Sequence, residues 1–517
     1  MQKINLIILT VIVFLGALLR FPLLDSYPPS PNWDEVSLGY NSYSLLLTGR
    51  DEWGMTTPTL FRAFGDFKLP GYIYLLTPWI KSLGLNTVSI RLMSALSGVI
   101  SIFLVYYLAH RLTKRSYIAL LSAIIVAVSP WSFFVSRVAL EANLAVMLFL
   151  LGLSLLVTKR LFWAIFFLGL SAWTYNSFRI LSPLFPIVYF LLNRKNHKIY
   201  LIHYTLYTIL FVPIFLQLLS PSGQARFYWT TILDSGAISH INELQQRPGG
   251  RLVYNKATYF AAVFTQNYLR HFSAFQLFIK GPTNYQFSVP SFGLFYLVAL
   301  PFFYLGLVRG AKNKFLITWL LLAPIASSAT RDTPHVLRSI SLMPLFAIFI
   351  ASGVGAFGKR LGHIVLVLFV SLSLLQAALY LQVYKGSYTR DYSWSWQYGH
   401  LEVAEFIKAN YENYDQIIFT KRYGEPHEFM NFYLTPHPAD YQLSPSKVWD
   451  YHASWYWVGG FAKFKYVNDW ELLDYIKALD SQRKYLVISS PDNPVGSGFL
   501  KEVSFRDGEP AFFINQL

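Results

Sequence analysis

The chain has 517 residues, of which 54% are hydrophobic and only 14% charged, with a net charge of +16 and no cysteine. Soluble domains carry about 25% charged residues, so this composition excludes an ordinary soluble protein and indicates many membrane spans. Disulfides and thiolate metal sites are excluded as well. The positive charge lies in short loops rather than in the dense basic stripe that a nucleic-acid surface needs, so no nucleic-acid partner is expected.

A spanning helix needs about 20 apolar residues. About eleven stretches qualify, near 4–21, 88–109, 117–135, 139–157, 161–178, 180–193, 199–219, 290–308, 315–330, 338–357 and 362–383. Residues 4–19 resemble the apolar region of a signal peptide. No small-x-small cleavage site follows Ala17, so the segment reads as a retained first span. With the N-terminus in the cytoplasm, the inner loops are HRLTKRS (110–116), TKR (158–160), NRKNHK (193–198), RGAKNK (309–314) and GKR (358–360). All five are basic, as the positive-inside rule requires. An odd span count places the C-terminus outside.

Three long segments then face outward: 22–87, 220–289 and a tail from about 385 to 517. The tail differs in kind. Strand-like runs (QIIFT, 416–420; KYLVISS, 484–490; AFFINQL, 511–517) alternate with amphipathic stretches (HLEVAEFIKANY, 400–411; DWELLDYIKAL, 469–479), which predicts an α/β domain. The expected division is a transmembrane domain over 1–384 and an extracytoplasmic α/β domain over 385–517.

Charges that depart from the topology rule are the functional candidates. Asp34 and Glu35 follow the first span within PNWDEVSLGY, and Lys68 lies in GDFKLPGY of the same outer segment. Arg137, Arg179, Arg331 and Arg338 fall at or beside outer helix ends, and Glu141 stands near the start of a span. Each alone has a plainer reading: arginines snorkel to the interface, a carboxylate favours a helix N-terminus, and Asp34 or Glu35 caps a helix. Together they place several cations and three carboxylates at one membrane face. Cations at that depth suit a lipid phosphate, and a carboxylate beside it accepts a proton from an incoming hydroxyl. His335 is one turn from Arg338 and is a candidate neighbour of the site. His427, His437 and His452 show no metal-ligand spacing. Two aromatic clusters, YSWSWQYGH (392–400) and WDYHASWYWVGGF (449–461), suit packing in the tail or at the bilayer edge, and less often sugar contact.

These motifs resemble the membrane glycosyltransferases of the GT-C fold. W-D-E in the first outer loop and K-x-P after it are similar to the protein mannosyltransferase and aminoarabinose transferase group (glycosyltransferase family 39 and relatives). FVSRVALEANLAVMLFLLGLSLL (134–156) resembles the second acidic motif. LGLSAWTYNSFRILSPL (168–184) and TRDTPHVLRSISLMPLFAI (330–348) resemble later arginine segments. The resemblance covers about residues 1–385. It implies a polytopic α-helical GT-C protein of the plasma or inner membrane that inverts the sugar it moves from a polyprenyl-phosphate donor. The acceptor would be a protein, glycolipid or glycan hydroxyl on the outer face. By the same resemblance Asp34 is the base, and Glu35 supports the acceptor or the loop. Lys68, Arg137, Arg179 and Arg338 contact the lipid phosphate, with His335 nearby. Glu141 completes the acidic site, with Asp34 and Glu141 as ligands of a divalent metal (Mg, Mn, Ca or Zn). Two positions depart from the family pattern: Lys68-Leu69-Pro70 stands for K-P-P, and Glu141 for an aspartate. The alternatives are an oligosaccharyltransferase or O-antigen ligase using a lipid pyrophosphate, a lipid or sugar transporter, and an inactive sugar-binding subunit.

Overall fold

The computed structural model describes residues 2–192, 201–357 and 359–517. The basic stretch 193–198, the edges of the two expected spans that flank it, and Gly358 lie outside the described residues. The chain forms two compact, discontinuous units. The first comprises Met1–Pro22, Ser94–Ser136 and Leu140–Gln382, and the second Leu23–Met93, Arg137–Ala139 and Val383–Leu517. The first outer segment therefore groups with the tail rather than with the apolar chain that surrounds it in sequence.

The first unit is helical. Among the described residues, three helices are long and apolar enough to cross a membrane, Lys3–Arg20, Thr87–Thr113 and Leu361–Asp391, and the number reaches five if each of two bent pairs counts as one span. Glu141–Val157, Leu161–Ala172, Leu297–Gly310, Lys314–Ser328 and Leu342–Val354 are apolar but shorter. The sequence predicts about eleven spans; several of the apolar stretches form bent or shorter helices, and the edges of 180–193 and 199–219 lie outside the described residues. The expected span 117–135 is a bent pair, Ser116–Val128 and Pro130–Ser136, at 54°. Pro130 has no N–H to return to the carbonyl of Val126. The guanidinium of Arg20 supplies the missing donor, reaching Val126 O at 3.0 Å, Ala127 O at 2.9 Å and Ser132 Oγ at 2.9 Å. Helices Leu300–Gly310 and Leu342–Val354 approach backbone to backbone. A Cβ at Gly306 would lie 1.8 Å from Phe349 O, and one at Gly353 would lie 1.9 Å from Phe302 O.

The second unit is built on sheet and helix. A short hairpin, β1 (Phe61–Arg62) and β2 (Phe67–Lys68), precedes helix Pro70–Leu83. The tail contributes β3 (Gln416–Thr420), β4 (Val448–His452), β5 (Trp455–Phe461), β6 (Phe464–Val467), β7 (Tyr485–Ser489), β8 (Phe499–Ser504) and β9 (Pro510–Gln516). They form one sheet in the order β4-β5-β6-β3-β7-β9-β8. β3 runs parallel to β6 and β7, and the remaining pairs are antiparallel. The two central strands, β3 and β7, are nearly continuous apolar runs buried along their length, as strands covered on both faces must be. Ile418, Val467, Leu472, Tyr485 and Val487 form a core cluster beside them. The aromatic run 449–461 is not core over its first half. It makes the β4–β5 hairpin, and every residue of β4 is exposed. In the other cluster Trp396 is buried, donating to Tyr388 Oη at 2.8 Å. Helix Trp33–Thr48 packs against helix Pro426–Leu434. Gly39 allows the approach, since a Cβ there would meet Phe432 and Ile90 at 2.9 Å.

Candidate functional site

In the second unit, the N-terminus of helix Trp33–Thr48 is closed by a capping box. Asn32 Oδ1 accepts from Glu35 N at 3.0 Å, and Glu35 Oε2 accepts from Asn32 N at 3.1 Å. Glu35 is fully buried and held by Arg91 in a two-pronged pair, Nε to Oε1 at 2.8 Å and Nη2 to Oε2 at 2.9 Å. Ala139 N adds a third donor to Oε1 at 2.8 Å. The remaining Arg91 donors reach Leu24 O, Pro28 O and Ser30 O at 2.7–2.9 Å. Glu35 is thus the anchor that fixes the loop ahead of the helix. Arg91 sits within an expected span, and no sequence signal distinguishes it from a snorkelling arginine.

Adjacent helical residues point about 100° apart, and Asp34 has different surroundings. Its side chain is 49% exposed and its Oδ1 lies 3.0 Å from Lys68 Nζ. Lys68 is 6% exposed and also donates to Asp34 O at 3.0 Å. Hairpin β1–β2 delivers this lysine onto Asp34, whereas the resemblance implies a lipid-phosphate contact for Lys68. The ammonium neighbours the carboxylate to which the resemblance gives a divalent metal. Arg137 is buried and donates to Tyr27 O at 3.0 Å and Leu23 O at 2.8 Å; these bonds bind it to the same loop.

In the first unit, Arg179 and Arg338 line one cavity of about 160 Å³ together with Arg226, Asn176 and Thr330. Among the described residues lining it, none is acidic. Arg179 is positioned by Gln217 Oε1 and Asn176 Oδ1, and Arg338 by Thr330 Oγ1 at 2.9 Å. The carboxylate facing Arg338, Asp332, is 3.8 Å away and 62% exposed. Guanidinium groups converging on a cavity without a carboxylate suit a phosphate. Arg226 belongs to the segment 220–289 that the sequence predicts to face outward, where an isolated arginine gives no signal. His335 accepts at Nδ1 from Leu337 N at 3.2 Å and Arg338 N at 3.4 Å, which orients the backbone that carries Arg338. Burial, then the charges of Arg338 and Arg226, hold its pKa well below the usual histidine value. Glu141 opens helix Glu141–Val157, where no side chain caps the preceding residue, and its charge favours that helix end.

A second group of acids in the second unit was not foreseen. Glu52, Glu425, His427 and Glu428 are each 1–2% exposed. Burial pushes both Glu52 and Glu425 up to about 7 and Glu428 well above the carboxylate range. Burial also lowers Lys447 to about 8. Ligand atoms of Glu52, His427 and Glu428 all lie within 4.8 Å of one another. Neither Asp34 nor Glu141 belongs to this trio. Metal-ligand spacing passes over His427 because its partner Glu52 lies far away in sequence; the acidic pair Asp51-Glu52 and the adjacent His427-Glu428 are the legible trace.

Residues 10–164 match the sequence profile of the dolichyl-phosphate-mannose-protein mannosyltransferase family. No curated protein sequence matches the chain. Among solved structures, ArnT from Cupriavidus metallidurans in the apo state superposes with a TM-score of 0.56 at 12% identity, over 98% of this chain and 97% of that one. The same protein bound to undecaprenyl phosphate gives 0.53 at 13% identity, with the same coverage. The oligosaccharyltransferase AglB from Archaeoglobus fulgidus gives 0.46 at 12% identity, over 83% of this chain and 63% of that one. The chain has the GT-C fold, its apolar helices are those of an integral membrane protein, and the family match points to a glycosyltransferase.

Proposed function

We propose that the protein moves a sugar from a polyprenyl-phosphate donor to an acceptor hydroxyl on the outer face of the membrane. The observation that carries this reading is the acid-free cavity lined by Arg179, Arg226 and Arg338. Such a cavity suits the phosphate of a lipid carrier, and the ArnT structure bound to undecaprenyl phosphate supports a carrier of that class.

In the proposed reaction the acceptor oxygen attacks the anomeric carbon, and the bond from that carbon to the phosphate oxygen breaks. Attack opposite the leaving group inverts the centre. The lipid phosphate departs with the bonding electrons, stabilised by the guanidinium groups. Asp34 takes the acceptor's proton, and Lys68 fixes the direction of its carboxylate. His335 keeps the Arg338 backbone in place, and Glu141 takes the family's second acidic position. The orientation follows the basic loops: N-terminus in the cytoplasm and tail outside.

The test is release of free polyprenyl phosphate by purified protein in lipid, given a panel of polyprenyl-phosphate sugars and an acceptor extract. Asp34→Asn is expected to slow release by about 10²–10⁴-fold while donor binding persists. Equal release by both proteins refutes Asp34 as the base. Release only from lipid-pyrophosphate glycans replaces this donor class with that of an oligosaccharyltransferase.

A further inference from the structure

We propose that Glu52, His427 and Glu428 bind a divalent transition-metal ion, of the zinc or manganese type, within the unit formed by the first outer segment and the tail. This site is separate from Asp34 and Glu141.

The geometry is that of a ligand set slightly wider than one ion's coordination sphere. The three ligand atoms lie within 4.8 Å of one another, and metal bonds of about 2.0–2.2 Å hold tetrahedral ligands roughly 3.5 Å apart. Small side-chain rotations bring the three onto one ion. The polar atoms are also left over by the fold. Glu52 Oε2 and Glu428 Oε2 are buried without a hydrogen-bond partner, an arrangement that costs free energy unless a cation or proton compensates it. The nearby lysine Lys447 does not close the gap. Its Nζ donates to Glu52 O at 3.1 Å and lies 4.2 and 4.0 Å from the rings of Trp53 and Tyr441.

The second layer has the form that metal-binding histidines use. His427 Nδ1 faces Glu425 Oε2 at 3.4 Å, while Nε2 faces Glu428 Oε1 at 3.8 Å. A carboxylate so placed receives the second N–H of a metal-bound histidine; here His427 Nδ1 and Glu425 Oε2 are both buried without a hydrogen bond, further polar atoms that ion binding would satisfy. Glu425 is itself held by Trp455 Nε1 at 2.6 Å, and Glu52 Oε1 by Asn41 Nδ2 at 2.8 Å. One imidazole nitrogen with two carboxylate oxygens favours zinc or manganese over magnesium and calcium, which prefer oxygen alone. The ion would join Glu52, just beyond helix Trp33–Thr48, to the start of helix Pro426–Leu434.

The test uses the full chain in detergent. Elemental analysis of protein purified without added metal is expected to give about one zinc or manganese per chain. Chelation is expected to lower Tm, and the same ion to restore it. Cobalt(II) added to stripped protein is expected to give the visible bands of a nitrogen-oxygen site. Glu428→Gln and His427→Gln keep side-chain size and should lose the metal. His452→Ala, at the exposed Asp450–His452 pair, should keep it. Stripped wild type that stays folded but takes up no zinc, manganese or cobalt overturns the proposal. So does a Glu428→Gln variant that retains the metal. A higher Tm in Glu428→Gln with no metal in either protein means that the carboxyls are held by protons.

Discussion

The arginines of the two units are spent differently. In the second unit, Arg91 gives its donors to a buried carboxylate and three carbonyls, and Arg137 reaches two carbonyls of the same loop. In the first unit, Arg179, Arg226 and Arg338 face a cavity with no acid on its described walls. An arginine whose donors end on its own fold holds that fold. An arginine that lines a cavity with no acid on its described walls is placed to meet a ligand's charge. Sequence position does not separate them, because Arg137, Arg179 and Arg338 all lie near expected helix ends.

The sharpest way to break this contrast is Arg91→Ala. It strands Glu35 as an isolated buried charge and is expected to cost about 3–5 kcal/mol, read as a fall in thermal stability with or without donor lipid. Loss of activity at unchanged stability would move Arg91 into the ligand class.

Protonation probes the closed class without removing atoms. His400 is fully buried, stacks on Phe429 with ring centroids 4.0 Å apart, and uses Nδ1 on Gln397 O at 2.8 Å. Burial lowers its pKa from 6.5 to about 4. The unfolded chain therefore binds the proton first as pH falls. Stability from this group is complete above pH 6.5 and declines down to about pH 4, by about 3 kcal/mol. The raised carboxyls Glu52 and Glu425 act in the opposite sense, favouring the fold at low pH. The measurement is thus the difference in unfolding free energy between wild type and His400→Gln across pH 4–7; a flat difference refutes the assignment.

For the open class, Arg179→Ala, Arg226→Ala and Arg338→Ala should each weaken binding of a polyprenyl-phosphate lipid by about 10–100-fold, the worth of one charged hydrogen bond. Their Tm values should move little, and lysine should restore part of the binding. A stability loss equal to that of Arg91→Ala would erase the distinction. The smallest effect is expected from Asn32→Ala. It removes one cap of helix Trp33–Thr48 at a cost of about 1 kcal/mol, measurable by denaturant unfolding.

The amino-acid sequence by itself determined the membrane class, the resemblance to GT-C enzymes and the α/β character of the tail. These rest on local quantities: hydropathy over a span, short motifs such as W-D-E and K-x-P, and short apolar runs such as β3 and β7. The helix boundaries were less legible because proline breaks such as Pro130 are repaired by a distant side chain, here Arg20. Only the tertiary structure decided that Glu35 is consumed by Arg91, that Arg226 joins Arg179 and Arg338, and that Glu52 meets His427 and Glu428. Each of these depends on chain segments far apart in sequence being packed together. Charge and burial along one segment carry no record of which distant partner completes its hydrogen bonds.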